Sequence, residues 1–222
     1  MLKVSSLVGF AAALIATPLL GSPAWSAPCV LAPVATYTGS GFSCNVDGVT
    51  FSNITIVPTI TAGSGVLSFA DIQPFSSGGE SGLQLDFFAS AGTSTNGTNT
   101  GQADFVWSYD VSGSPALVDV FMQLVGQTSG TGQIGVTEGL SNGVTLTLSG
   151  AGVTSASFPP IGSLHVIKDD FTLSGLNGFA TQSALVNAFS VPGPIVGAGL
   201  PGMVAACGAL LALARRRRQL VV

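Results

Sequence analysis

The chain predicts an all-β body of β-sandwich or jelly-roll type, framed by an N-terminal signal helix and a C-terminal transmembrane helix. Three observations carry this. Apolar residues between positions 28 and 190 recur with period two far more than with helical period. Clusters of Gly, Ser, Asn and Pro punctuate them at short intervals. Both ends carry uncharged apolar runs beside basic residues, although only 7% of all residues are charged, against roughly 25% in ordinary soluble proteins. A length of 222 residues suits one domain with a full core, and 30 glycines suit many turns.

Residues 1–27 read as a secretory signal peptide. Lys3 is the charged start, Leu7 to Leu20 the apolar middle, and "AWSA" (Ala24 to Ala27) the small residues before a signal-peptidase cut after Ala27. Export places Cys29 and Cys44 where oxidation is favoured. A disulfide between them would close a loop of about 15 residues and contribute roughly 3 kcal/mol in the chain-entropy account. A free pair or a metal pair is the alternative. Zinc would need more ligands than two cysteines, and no second Cys/His pair stands nearby. The third cysteine, Cys207, falls inside the C-terminal apolar run and packs there as a small hydrophobe.

In the body, Leu83, Leu85 and Phe87 alternate with polar neighbours, as do Phe105, Trp107, Tyr109 and Val111. Val118, Val120, Met122 and Leu124 repeat the pattern, and so do Val144, Leu146 and Leu148. Further strands are expected near 49–57, 66–70, 133–138, 162–174 and 182–190. Stretches such as "SSGGESG", "VSGSP", "GQTSGTGQ" and "SGAG" read as turns between nine or ten short strands. No helix of three turns is expected between 28 and 190. In "SLHVIKDDFTLSG" the apolar parity changes: Leu164 and Val166 share one face, Phe171 and Leu173 the other. A β-bulge or a crossing between sheets at Lys168–Asp170 would account for it.

Residues 28 to 190 hold one lysine, no arginine and all ten acids, which leaves a net charge of −9. Such a surface repels nucleic acid and anionic lipid. His165, the chain's one histidine, has Asp169 and Asp170 nearby and serines in plenty, but no G-x-S-x-G elbow accompanies it. Catalytic residues are therefore not assigned. A glycosidase would need two paired carboxylates, but the sequence singles out no pair among Glu80, Glu138 and the aspartates, which read as solvated acids that keep a low-charge protein soluble. Calcium would find oxygen ligands in Glu138, Asp169 and Asp170, outside any EF-hand or nonapeptide pattern, so no cofactor is assigned. Lys168 paired with an acidic neighbour across strands is the plain alternative. Trp107 and Tyr109 share a face with Phe105, which suits core better than a sugar-stacking platform. Asn53-Ile54-Thr55 and Asn96-Gly97-Thr98 are sequons, read as incidental.

From Ile195 to Ala214 no charged or strongly polar side chain occurs, about the length a bilayer helix needs. Arg215, Arg216, Arg217 and Arg218 follow. Such a cluster stays cytoplasmic and leaves the preceding chain outside. A short proline motif, an apolar span and a basic end together resemble the PEP-CTERM sorting signal of bacterial exported proteins. That family's motif is Val-Pro-Glu-Pro, and its recognition by an exosortase, a membrane cysteine transpeptidase, is implied. Here Val191, Pro192, Gly193 and Pro194 stand there, with glycine in place of glutamate. Either a variant sorting enzyme reads this form or the helix is a plain anchor.

The resemblance extends into the body. Some PEP-CTERM proteins share an early cysteine pair, a "GF-x-C" element, a central Tyr strand, a "TE" and a late "KD". This chain has Cys29, "GFSC" (Gly41 to Cys44), "FVWSYDV" (Phe105 to Val111), "VTE" (Val136 to Glu138) and "VIKDD" (Val166 to Asp170). The family implies residence at the cell surface or in the extracellular matrix and no agreed biochemical activity. The expectation is a non-enzymatic structural protein, anchored in the cytoplasmic membrane facing outward or released after C-terminal processing. The alternative is a glycan- or calcium-binding adhesion module of the exopolysaccharide matrix.

Overall fold

The computed structural model describes residues 26–93 and 100–192. The signal peptide up to Trp25, the apolar span, the four arginines, Gly193, Pro194 and Asn96 lie outside the described residues. The described chain is almost entirely β-structure. Its elements are β1 (Ala27–Pro28), β2 (Ala32–Pro33), α1 (Val34–Tyr37), β3 (Ser43–Val46), β4 (Val49–Ala62), β5 (Val66–Ser77) and β6 (Glu80–Gly92). They continue with β7 (Gln102–Gly130), β8 (Gln133–Leu140), β9 (Thr145–Leu148), β10 (Gly152–Leu173) and β11 (Gly178–Ser190). The helix is one turn long, and its Tyr37 is buried, with the hydroxyl donating to the Val30 carbonyl at 2.6 Å.

All eleven strands belong to one hydrogen-bonded sheet, ordered β1-β3-β4-β7-β11-β6-β5-β2, with β10, β8 and β9 branching from β7. Every pairing is antiparallel except the short β1–β3 contact. The sheet curls because β7 and β10 bend together. The first part of β7, Gln102 to Ser112, lies between β4 and the last part of β10. Its second part, Asp119 to Gly130, lies along β11. At the bend the β7–β10 register slips twice, between Ser157 and Ser163. A side chain at Gly113 would meet Leu117 and the Pro115 carbonyl within 3 Å, so the corner needs a residue without Cβ.

The curl brings aromatic side chains face to face. Phe105 of β7 meets Phe69 of β5 and Phe87 of β6 edge-on, at centroid separations of 5.2 and 4.9 Å. Phe51 of β4 lies 6.4 Å from Phe189 of β11. Each such side chain contributes roughly 1.5–3 kcal/mol by burial, and the ring pairs add about 0.5–1.5 kcal/mol. The β5–β6 turn uses Gly78 and Gly79 at positive φ, which a two-residue hairpin requires.

Two expectations are corrected here. The central strands run longer than expected: 105–111 and 118–124 belong to one strand, β7, because "VSGSP" bends the strand instead of ending it. The parity change at Lys168–Asp170 is absent. The β7–β10 register runs unbroken from Ser163 to Leu173, and Leu164, Val166, Lys168, Asp170, Thr172 and Ser174 all face inward and are buried. The irregularity in β10 lies earlier, at 157–163.

Candidate functional site

The inner face of β10 places Lys168 in the middle of a cross-strand row, with Trp107 of β7 on one side and Glu138 of β8 on the other. Its ammonium is 2.6 Å from Glu138 Oε2, and both side chains are fully shut from solvent. The same nitrogen donates to Met122 Sδ at 3.7 Å and lies 6.0 Å from the centre of the Trp107 ring. Across the core, Asn187 of β11 donates through Nδ2 to the same Glu138 oxygen, at 3.2 Å, and to the Phe121 carbonyl at 2.9 Å. The Tyr109 hydroxyl donates to Asn187 Oδ1. One carboxylate oxygen therefore holds an amine and a carboxamide that come from opposite halves of the curled sheet.

The electrostatics follow from the burial. Removing the ammonium from water pushes the Lys168 pKa down, and Glu138 and Asp170 oppose that push. Burial drives the Tyr109 phenol well up, and the Glu138 charge adds to it. Burial likewise drives Asp170 well above the ordinary carboxylate range. That push disfavours a second anion beside Glu138. Gln182 donates to the Phe171 carbonyl at 2.6 Å and to Thr172 Oγ1 at 3.0 Å, closing that end of the polar row. Both Asp170 oxygens, Glu138 Oε1 and Trp107 Nε1 have no protein hydrogen-bond partner.

The residues named for calcium do not converge. Glu138 and Asp170 face inward, whereas Asp169 stands on the outer, exposed face of the same strand. Among the described residues no three His, Cys, Asp or Glu side chains gather at a cation-sized spacing. Cys29 and Cys44 are joined as a disulfide. Val191 and Pro192 follow directly on β11. Trp107 and Tyr109 are core residues.

His165 sits on the outer face, half exposed, with Nδ1 2.6 Å from Asp110 Oδ1. Asn53, its backbone at positive φ, donates to Asp110 Oδ2 at 2.6 Å. These two bonds, Asn53 first, hold the Asp110 carboxyl below its ordinary range. The groove beside them is walled by Ser52, Ser112, Ser141 and Ser163. Ser141 Oγ accepts from the His165 backbone N–H at 3.0 Å, and among the described residues no serine hydroxyl bonds the imidazole.

A third feature lies on the outer face of the β5–β6–β11–β7 half. Phe75 and Phe121 stack nearly parallel, 6.1 Å apart, above Gly82 and Ala188. Beside them Gln73 and Gln84 both donate to Asp86. Sequence reasoning missed this face, and it missed Tyr109 and Asn187 as polar partners. A signal for Asn187 was present: it is the lone polar side chain within "ALVNAF".

No protein-family model matches the chain, and no curated protein matches it. A solved structure of TmCBM61 in complex with β-1,4-galactotriose is similar at 9% identity, over 56% of this chain and 87% of that one, with a TM-score of 0.27.

Proposed function

We propose that this chain is an exported, non-enzymatic structural protein of the cell surface or extracellular polysaccharide matrix, sorted or held by its PEP-CTERM-like C-terminal signal. The observation that carries the reading is the order of proline motif, apolar span and arginine cluster directly after the last strand. Two features of the body support it. The disulfide suits an oxidising compartment. Among the described residues, the Lys168–Glu138 pair is sealed in the core, away from any external substrate. We also read the curled sheet as a two-layer sandwich of jelly-roll type, with β7 and β10 contributing to both layers. Cross-core pairs such as Phe87–Phe105 and Phe51–Phe189 support that reading.

The test is the intact mass of the mature protein from its native cells, combined with fractionation. Loss of residues 1–27 and of the arginine end is the expected result for a sorted substrate. A start near Pro28 with Val222 intact, in the membrane fraction, means a permanent anchor. A chain that keeps residues 1–27 in the cytoplasm overturns the proposal.

One observation favours a second reading, a glycan-binding module. The Phe75–Phe121 pair, with Gln73, Gln84 and Asp86 beside it, combines an apolar platform with amide and carboxylate groups on one partly exposed face. Retention on purified exopolysaccharide, lost in a folded Phe121→Ala variant, would establish it. Unchanged retention in that variant would remove this face from consideration.

A further inference from the structure

Lys168, Glu138, Asn187 and Tyr109 form one contact chain across the core. An ion pair accounts for Lys168 and Glu138 together. It does not account for a carboxamide bonded to the same carboxylate oxygen while a phenol donates to that carboxamide's own oxygen. An amine, an acid–base group shared with the acceptor, and a donor on the acceptor's carbonyl are the parts that amide transfer requires.

We propose that Lys168 and Asn187 react with each other to form an intramolecular isopeptide bond, with Glu138 carrying the protons and Tyr109 holding the carboxamide oxygen. The inference goes beyond the function proposed above and does not depend on it. The ammonium first passes a proton to Glu138 across their 2.6 Å contact. The free amine attacks Cγ of Asn187, and the Nζ–Cγ bond forms. The carbonyl electron pair moves onto Oδ1, where the Tyr109 hydroxyl already donates. Protonated Glu138 then gives its proton to Nδ2, its neighbour at 3.2 Å. The Cγ–Nδ2 bond breaks, the carbonyl re-forms and ammonia leaves. The carboxylate finally takes the surplus proton from Nζ. One C–N bond has replaced another, one ammonia is released, Glu138 ends protonated, and no oxidant or reductant is consumed.

The surroundings favour each step. Burial pushes the lysine toward the neutral, nucleophilic form. It also keeps the Tyr109 proton in place as a donor. Met122 and Trp107 exclude water from the amine. The shared oxygen holds both reacting nitrogens against one carboxylate, which removes most of the entropy of encounter. The product would tie β10 to β11, that is, one half of the curled sheet to the other.

The experiment is mass spectrometry of the folded full chain after reduction of Cys29–Cys44, followed by protease digestion and sequencing of linked peptides. The expected mass is lower than that of the chain, with its termini as sequenced, by one ammonia. One branched peptide should join Lys168 to Asn187. The Glu138→Gln variant should show the full mass and lose the branched peptide. Asp170→Asn should keep it, because Asp170 bonds neither reacting group. Full mass in the folded wild-type chain overturns the proposal. So does loss of one water instead of ammonia, which would place the linkage on a carboxyl such as Asp170. A folded Glu138→Gln chain that retains the linkage removes Glu138 from the reaction.

Discussion

Strands β7 and β10 lie side by side and turn the corner of the sheet together, yet their inner faces have opposite chemistry. On β7 the buried row reads Ala103, Phe105, Trp107, Tyr109 and Val111. On β10 it reads Leu164, Val166, Lys168, Asp170 and Thr172, equally buried. Both rows keep strict alternation. The first is held by transfer of apolar surface from water. At the centre of the second, the Lys168 ammonium is tolerable only while Glu138 faces it. The difference teaches that period fixes which side chains are inside, and that polarity does not.

The sharpest way to break the comparison is to remove one partner on the polar row. Glu138→Ala, which could not form the Lys168–Asn187 linkage either, leaves the Lys168 ammonium buried without its anion, and unfolding by urea should show a loss of at least about 3–5 kcal/mol. Phe105→Ala on the apolar row should cost a similar amount, about 3–5 kcal/mol, through the cavity it opens against Phe69 and Phe87. The two rows then separate on rescue. Lys168→Met combined with Glu138→Leu should recover the electrostatic part of the first loss, because no unpaired charge remains. No second substitution away from the cavity should recover the other. If the double variant is as unstable as Glu138→Ala, the row is not held by charge pairing.

The disulfide supplies the next largest effect, and it lies outside both rows. Cys29 and Cys44 are 15 positions apart, and the bridge ties the chain after β1 to β3. Cys29→Ser together with Cys44→Ser should lower stability by roughly 3 kcal/mol in the chain-entropy account. Its measure is the shift in urea midpoint between wild type and variant. No shift in the midpoint would mean that the β1–β3 end frays independently of the core.

Asp170 offers a change of opposite sign and smaller size. Its folded pKa is raised by burial, while in the unfolded chain it titrates in the ordinary range near about 3.9. The protonated form is therefore favoured by folding. That contribution is whole below the unfolded value and is lost as pH rises toward the folded one. Asp170→Asn should raise the neutral-pH Tm and flatten the decline between acidic and neutral pH. A variant whose Tm falls at every pH would show that the carboxyl is bonded in a way its unpartnered oxygens do not suggest.

What could be read in advance follows the same division. Alternation in "FVWSYDV" and "LQLDF" placed Phe105, Trp107, Leu83 and Leu85 correctly, because apolar burial leaves its period in the sequence. The continuity of β7 through "VSGSP" was illegible, since a bend uses the same residues as a turn. The parity change inferred at Lys168–Asp170 came from the assumption that a buried face is apolar. Phe171 and Leu173 are the half-buried ones, and their polar neighbours face the core. Glu138 was in view as an oxygen ligand, but its partner came from a strand some 30 positions away, and only the β8–β10 register brings them together. Asn187 and Tyr109 meet across the curl, which no strand-by-strand reading reaches.

The smallest effect belongs to His165 and Asp110, whose contact, unlike that of Lys168 and Glu138, is not sealed. His165 and Asp110 meet at the same short distance as Lys168 and Glu138, 2.6 Å, but both are nearly half exposed. Solvent screens them, so Asp110→Asn should cost no more than about 1 kcal/mol. Asn53 and His165 depress the Asp110 pKa, so the contribution is present above the unfolded value and fades as pH falls through the folded one. Comparing urea midpoints of wild type and Asp110→Asn at neutral and strongly acidic pH measures it. The two chains should differ slightly at neutral pH and converge in acid. A loss as large as that of Glu138→Ala would mean that the outer face of the β4–β7–β10 row matters as much as the core, and the contrast between open and sealed pairs would fail.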